Sequence, residues 1–118
     1  MKILIFLTIL LTSSQAIASG EVETIFNYAD CTVGLSVGAI LVKGDQRAQF
    51  EGEANRVRQK AYAYIRNQAK GSTKRFDELF KLYAEAVDGK WKVFEAADGN
   101  REVMSVFAMD AISLCKRL

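Results

Sequence analysis

The sequence predicts an all-α fold: a small disulfide-stapled bundle of about four helices around one central apolar helix. Three observations carry that expectation. Cys31 to Val42, CTVGLSVGAILV, is a run of twelve residues without a charge. The 118 residues include no proline, which suits long helices and argues against a turn-rich sandwich. The two cysteines, Cys31 and Cys115, sit in the central run and in the last apolar stripe, where a bridge would staple one to the other.

Residues 1–18 read as a removable export signal. Lys2 supplies a positive start, Ile3 to Leu11 an apolar stretch, and Ala16-Ile17-Ala18 a small-residue cleavage site before Ser19. An uncleaved anchor is the alternative. A lipoprotein is disfavoured, because Cys31 lies well beyond the apolar stretch and follows Tyr28, Ala29 and Asp30. Residues 19–118 are then one helical domain, enough for a modest core and without a further membrane span. Export places the protein in the periplasm or outside the cell, where two cysteines most simply pair with each other. The chain-entropy model gives such a long-range bridge about 4 kcal/mol at most.

The central helix is expected over about 21–42. Val22, Ile25, Phe26, Ala29, Val33, Val37 and Ile40 recur at helical spacings. From Cys31 onward the helix is apolar nearly all round, as a helix buried on most sides must be. Gly34 and Gly38 lie four apart, each costing about 1 kcal/mol of propensity relative to alanine. They mark either close packing of a neighbouring helix or an apolar cleft that could hold a ligand. Association within a membrane is disfavoured by Glu21, Glu23 and Asp30.

Gly44-Asp45 reads as a stop followed by a cap, and a second helix follows over about 46–70. Its stripe is Phe50, Ala54, Val57, Ala61, Tyr64 and Ile65. Gly71 and Ser72 separate it from a third helix at about 73–88, striped by Phe76, Leu79, Phe80, Tyr83 and Val87 and closed by Asp88-Gly89. Residues 90–97, KWKVFEAA, fit either a strand or a short helix, and the helix is favoured because a lone strand has no partner. After an Asp98-Gly99-Asn100 turn, a last helix runs over about 101–117, with Val103, Phe107, Ala111, Leu114, Cys115 and Leu118 as its stripe.

The chain contains no histidine. Serine–histidine and cysteine–histidine catalysis are excluded with it, as is histidine ligation of a metal. No phosphate-binding or dinucleotide glycine motif is present. Glu51/Glu53 and Asp77/Glu78 are carboxylate pairs best read as solvated or helix-start charge. Asp98, Asn100 and Glu102 faintly resemble a calcium loop, but Val103 stands where that loop needs glycine. No metal or cofactor is expected, and an enzyme working with carboxylates alone ranks last among the functional readings.

Charge distribution is the more informative feature. Between Ala54 and Phe76 stand Arg56, Arg58, Lys60, Arg66, Lys70, Lys74 and Arg75, with no acidic residue among them. From Asp77 to Asp110 eight acidic residues face four basic ones. Arg58, Tyr62 and Arg66 form a ladder along one flank of the second helix. Like charges at that spacing cost a few tenths of a kcal/mol unless something opposes them. Counter-charges on the third helix (Glu78, Glu85 or Asp88) or plain solvent would do so. An anionic partner would too, with Tyr62 as an aromatic platform between two guanidinium groups. For an exported protein that partner is an acidic protein or an anionic envelope component in preference to nucleic acid. The leading expectation is therefore an exported binding module acting by surface complementarity, such as an inhibitor, immunity or stress-related protein. The alternative is a carrier of a small apolar ligand between helices near Gly34 and Gly38.

Overall fold

The computed structural model describes residues 17–118; residues 1–16, and so nearly all of the expected export signal, lie outside the described residues. Four helices follow in order: α1 (Ser19–Leu41), α2 (Gly44–Ala69), α3 (Thr73–Glu95) and α4 (Arg101–Ser113), with a 3-10 turn at Leu114–Arg117. The fold is the expected all-α bundle, and α1 touches every other helix.

The core explains why α1 occupies the centre. It divides into three clusters, and α1 contributes to each. Ile25 and Ala29 meet Ala61 and Ile65 of α2 and Leu79 and Tyr83 of α3. Cys31 and Leu35 meet Ala54 and Val57, with Phe50, Ile112 and Cys115 packed around them. Val33 and Val37 meet Phe94 and Ala108, flanked by Trp91, Met104 and Phe107. Successive residues of α1 thus point at different neighbours, which is why from Cys31 to Ala39 it carries no charge and only Thr32 and Ser36 as hydroxyl side chains. Within the 23 residues of α1 an 18-residue stretch reaches a mean hydropathy of 1.3, which makes it the one helix among the described residues long and apolar enough to cross a membrane. Yet 56% of that stretch is buried inside the protein, the condition of a core helix.

Gly34 is where α4 comes closest. A Cβ there would lie 2.7 Å from the Ala111 Cβ and 3.0 Å from the Ile112 nitrogen, so only glycine admits the α4 backbone. Just beyond the crossing, the Cys31–Cys115 disulfide joins residues 84 apart in the chain, with Cα atoms 5.1 Å apart. A bridge across an oxidised pair suits an oxidising compartment.

The end of α1 is held from outside. Val42 is extended, and no basic residue stands in the helix's own last turn. Its free carbonyls, the negative pole of the helix, are taken by arginines from two other helices. The Arg47 Nε of α2 donates to the Ala39 and Val42 oxygens (2.9 and 3.1 Å). The Arg101 Nη2 of α4 donates to the Leu41 oxygen (2.9 Å).

Two boundaries differ from expectation. The third helix does not close at Asp88-Gly89 but continues to Glu95, so most of the ambiguous 90–97 segment belongs to it. Gly89 sits with open space around it and imposes no turn. An Asp88–Lys92 ion pair (3.2 Å) spans it, and Phe94 beyond it is buried. The chain turns instead at Asp98 (φ 50°) and Gly99 (φ 75°), and the Asn100 side chain caps α4 by accepting from the Val103 N–H. The last helix ends at Ser113, and Cys115 lies in the 3-10 turn that follows.

Candidate functional site

On the side of α1 away from α4, α2 and α3 stand apart over part of their length. Thr32 and Ser36 of α1 form the floor of the resulting groove, Arg58 and Tyr62 of α2 one wall, and Tyr83 and Trp91 of α3 the other. This concavity holds about 270 Å³. It opens into a second of about 510 Å³, where Ile40, Arg47, Glu51 and Asn55 join the lining. Ser36, Arg58 and Trp91 line both, so they mark the junction.

The floor is polar but satisfied. A hydroxyl four residues along a helix can return its proton to the backbone. Thr32 Oγ1 donates to the Tyr28 oxygen (2.7 Å), and Ser36 Oγ donates to the Thr32 oxygen (2.9 Å). With its single proton so committed, Thr32 Oγ1 accepts from the Tyr83 hydroxyl at 3.0 Å. Burial raises the Tyr83 pKa above the usual tyrosine value; the Thr32 hydrogen bond and the positive charge of Arg58 offset part of that rise. Tyr83 is therefore a neutral donor at physiological pH.

The walls are aromatic. Tyr62 lies 5.5 Å from Phe80 and edge-on to Tyr83 at 6.1 Å, while Phe76 stacks on Phe80 at 6.1 Å. Phe80, expected in the core stripe of the third helix, is 37% exposed at the rim. Leu79 and Tyr83 take the centre of the α3 face, which leaves Phe76 and Phe80 at its margin.

Of the expected basic face, Arg58 and Tyr62 come together in the groove. Arg58 is half-buried, and its Nη1 donates to Asn55 Oδ1 at 2.5 Å. It forms no ion pair among the described residues. Arg66 lines a separate concavity of about 300 Å³ with Ser72, Thr73 and Phe76, where α2 turns into α3. The other basic residues lie elsewhere. Arg56 pairs with Glu53 on its own helix. Lys60, Lys70 and Lys74 are exposed to solvent. Arg75 is drawn to Glu21 of α1 at 2.8 Å, with Glu78 at 3.8 Å. Glu85 and Asp88 do not reach α2, since they pair with Lys81 and Lys92 along α3.

Gly34 is covered by α4, and the Phe50 ring lies 3.1 Å from where a Cβ of Gly38 would stand. Both glycines serve as contact points for bulk from another helix, and the open space lies on the opposite flank of α1. Trp91 and Arg47 were not among the expected site residues. Trp91 extends the Tyr83–Val87 stripe by one more turn, a signal hidden by reading Gly89 as a helix end.

No protein-family model, curated protein or solved structure matches this chain.

Proposed function

We propose that the protein is an exported binding module, periplasmic or extracellular, that takes an acidic segment of a partner protein into the α2–α3 groove. The observation that carries this reading is Arg58. Arg58 is half-buried at the junction of two concavities, in a lining shared with Tyr62 and Trp91, with an amide as its hydrogen-bond partner and no carboxylate on it. A carboxylate entering there would form a charge-assisted hydrogen bond, about 1.5–3 kcal/mol where water is displaced. Arginine, tyrosine and tryptophan are also the residue types that dominate binding hot spots. Concavity favours a protein segment over a lipid surface, because a flat layer of headgroups cannot reach the groove floor.

The reading is one of binding and not of catalysis. The floor hydroxyls are committed to helix carbonyls, and Tyr83 is held neutral, so the groove offers shape and the Arg58 cation in place of a nucleophile with its base.

The test is capture from envelope extract by the oxidised protein at low and high salt, beside vesicles of phosphatidylglycerol. Captured protein should fall steeply as salt shortens the screening length from about 10 Å at 0.1 M to about 3 Å at 1 M. Arg58→Glu should abolish capture, Tyr62→Ala should weaken it, and neither should move the thermal midpoint by more than a few degrees. Capture that ignores both salt and Arg58→Glu would overturn the reading. Vesicle binding without protein capture would replace the acidic protein by an anionic lipid.

A further inference from the structure

The face of α4 turned away from α1 is unpartnered and patterned. Glu102, Val106, Met109 and Ser113 recur at spacings of four, three and four, and Lys116 follows three residues later in the 3-10 turn. All five are exposed. That alternation is the seam along which one helix packs against another. Val106 is 57% exposed and Met109 71%, with Val103 beside them at 49%. Single exposed apolar residues are ordinary, but three gathered on one short helix mark an interaction surface. Glu102, Asp110 and Lys116 form no ion pair among the described residues.

The order of charges identifies the occupant. Glu102 precedes Met109 by seven residues and Lys116 follows it by seven, about 10–12 Å either way. A second copy laid antiparallel, Met109 against Met109, therefore sets each Glu102 opposite the partner's Lys116. The apolar Val106 and Met109 side chains fill the space between. The arrangement is two-fold and self-complementary, the commonest form of homodimer. A parallel pair would instead align like charges. An anionic bilayer would meet Glu102 at one end of the patch and Asp110 on its flank. Asp110 itself lies about 100° round the helix from Met109, on the flank of the seam.

We infer that α4 is a self-association surface, on which two copies of this chain pair antiparallel about Met109. The surface is independent of the groove, which lies on the far side of α1. A contact made by one short helix is small, so the dimer is weak and fills only at high concentration.

Sedimentation equilibrium of the oxidised protein, from micromolar to millimolar, tests the pairing. The average mass should rise with concentration from one copy toward two. Met109→Lys, which opposes two cations at the centre, should hold the protein monomeric without changing its thermal midpoint. Glu102→Lys and Lys116→Glu should each weaken association about tenfold by opposing like charges at both ends. The double variant Glu102→Lys with Lys116→Glu should restore it, because the pairs are then exchanged and not lost. A protein monomeric throughout would overturn the inference. So would association indifferent to Met109→Lys, failure of the double exchange to rescue, or a dimer lost instead through Arg58→Glu.

Discussion

At Gly34, α1 admits the backbone of α4 so closely that a Cβ would stand 2.7 Å from Ala111. At Ser36, two residues on and about 160° round the same helix, it lies under an open groove. Both are small residues on one apolar helix, yet one becomes a contact and the other a space. The difference lies in what faces them. Opposite Gly34 stand Ala108 and Ala111, and the two backbones can meet. Opposite Ser36 stand Arg58, Tyr62, Tyr83 and Trp91, whose bulk holds α2 and α3 apart. At Gly34 the small neighbours let two backbones meet, whereas at Ser36 the bulky neighbours leave a space.

The largest test of the closed side is its disulfide. Reduction, or Cys115→Ser, should lower stability by about 2–4 kcal/mol, read as a fall in the denaturant midpoint. The loss should appear first as faster amide exchange in α4 and the 3-10 turn. Uniform change across all four helices would show that the bridge does not hold α4 in particular.

Gly34→Val should cost about 1–3 kcal/mol, because the new side chain meets α4 backbone that cannot rotate away. Ser36→Val, directed into open space, should fall within about 0.5 kcal/mol. Equal costs would break the distinction between a closed and an open side.

The groove floor makes a smaller prediction. Thr32→Val leaves the Tyr83 hydroxyl without its acceptor and should cost about 1–2 kcal/mol. Adding Tyr83→Phe should recover part of that loss, since the stranded hydroxyl is then gone. If the double variant is no better than the sum of the singles, the hydroxyls are not coupled.

The smallest effect concerns Asp30, which pairs with Lys90 at 3.7 Å. The Lys90 ammonium also stands 4.7 Å from the centre of the Phe107 ring, so this pair ties α1, α3 and α4 together. Burial raises the Asp30 pKa above the usual carboxylate value, and the charge and hydrogen bond of Lys90 offset only part of that rise. A carboxyl raised in the folded state favours folding while protonated. Its contribution is present below the unfolded pKa and lost as pH rises through the folded one. Asp30→Asn should remove that component, so the variant should gain relative to wild type between about pH 3 and pH 7. A constant difference in thermal midpoint across that range would show that Lys90 compensates in full.

The helices and the bridge were legible because they rest on local periodicity and on each cysteine having a single available partner. The misreading at Asp88-Gly89 is instructive beside the same dipeptide at Asp98-Gly99. Only the second turns the chain, with both residues at positive φ and Asn100 ready to cap α4. The first is bridged by Asp88–Lys92 and carried through by Phe94, which α1 and α4 bury. Local chemistry was alike, and tertiary packing decided. The arginine run was visible as composition, but its division was not. Arg75 leaves for Glu21, 54 residues away, and Arg58 gains its setting from Trp91 on another helix. Arg47 and Arg101 as caps for α1 were equally invisible, since no spacing in the chain links them to Leu41.

The central place of α1 also bears on how the chain reaches its fold. Its Gly34 face is closed by Ala111 and its carbonyl end partly by Arg101, both drawn from the last helix. The first helix of the described bundle is therefore completed by its fourth. Contacts separated by so much chain form slowly, because loop closure must precede their reward. Until α4 arrives, the apolar run from Cys31 to Leu41 lacks one of its three covers and exposes the surface most prone to misassociation. Docking of α4 is then the step that ends this exposure, and formation of the Cys31–Cys115 bond makes it hard to reverse.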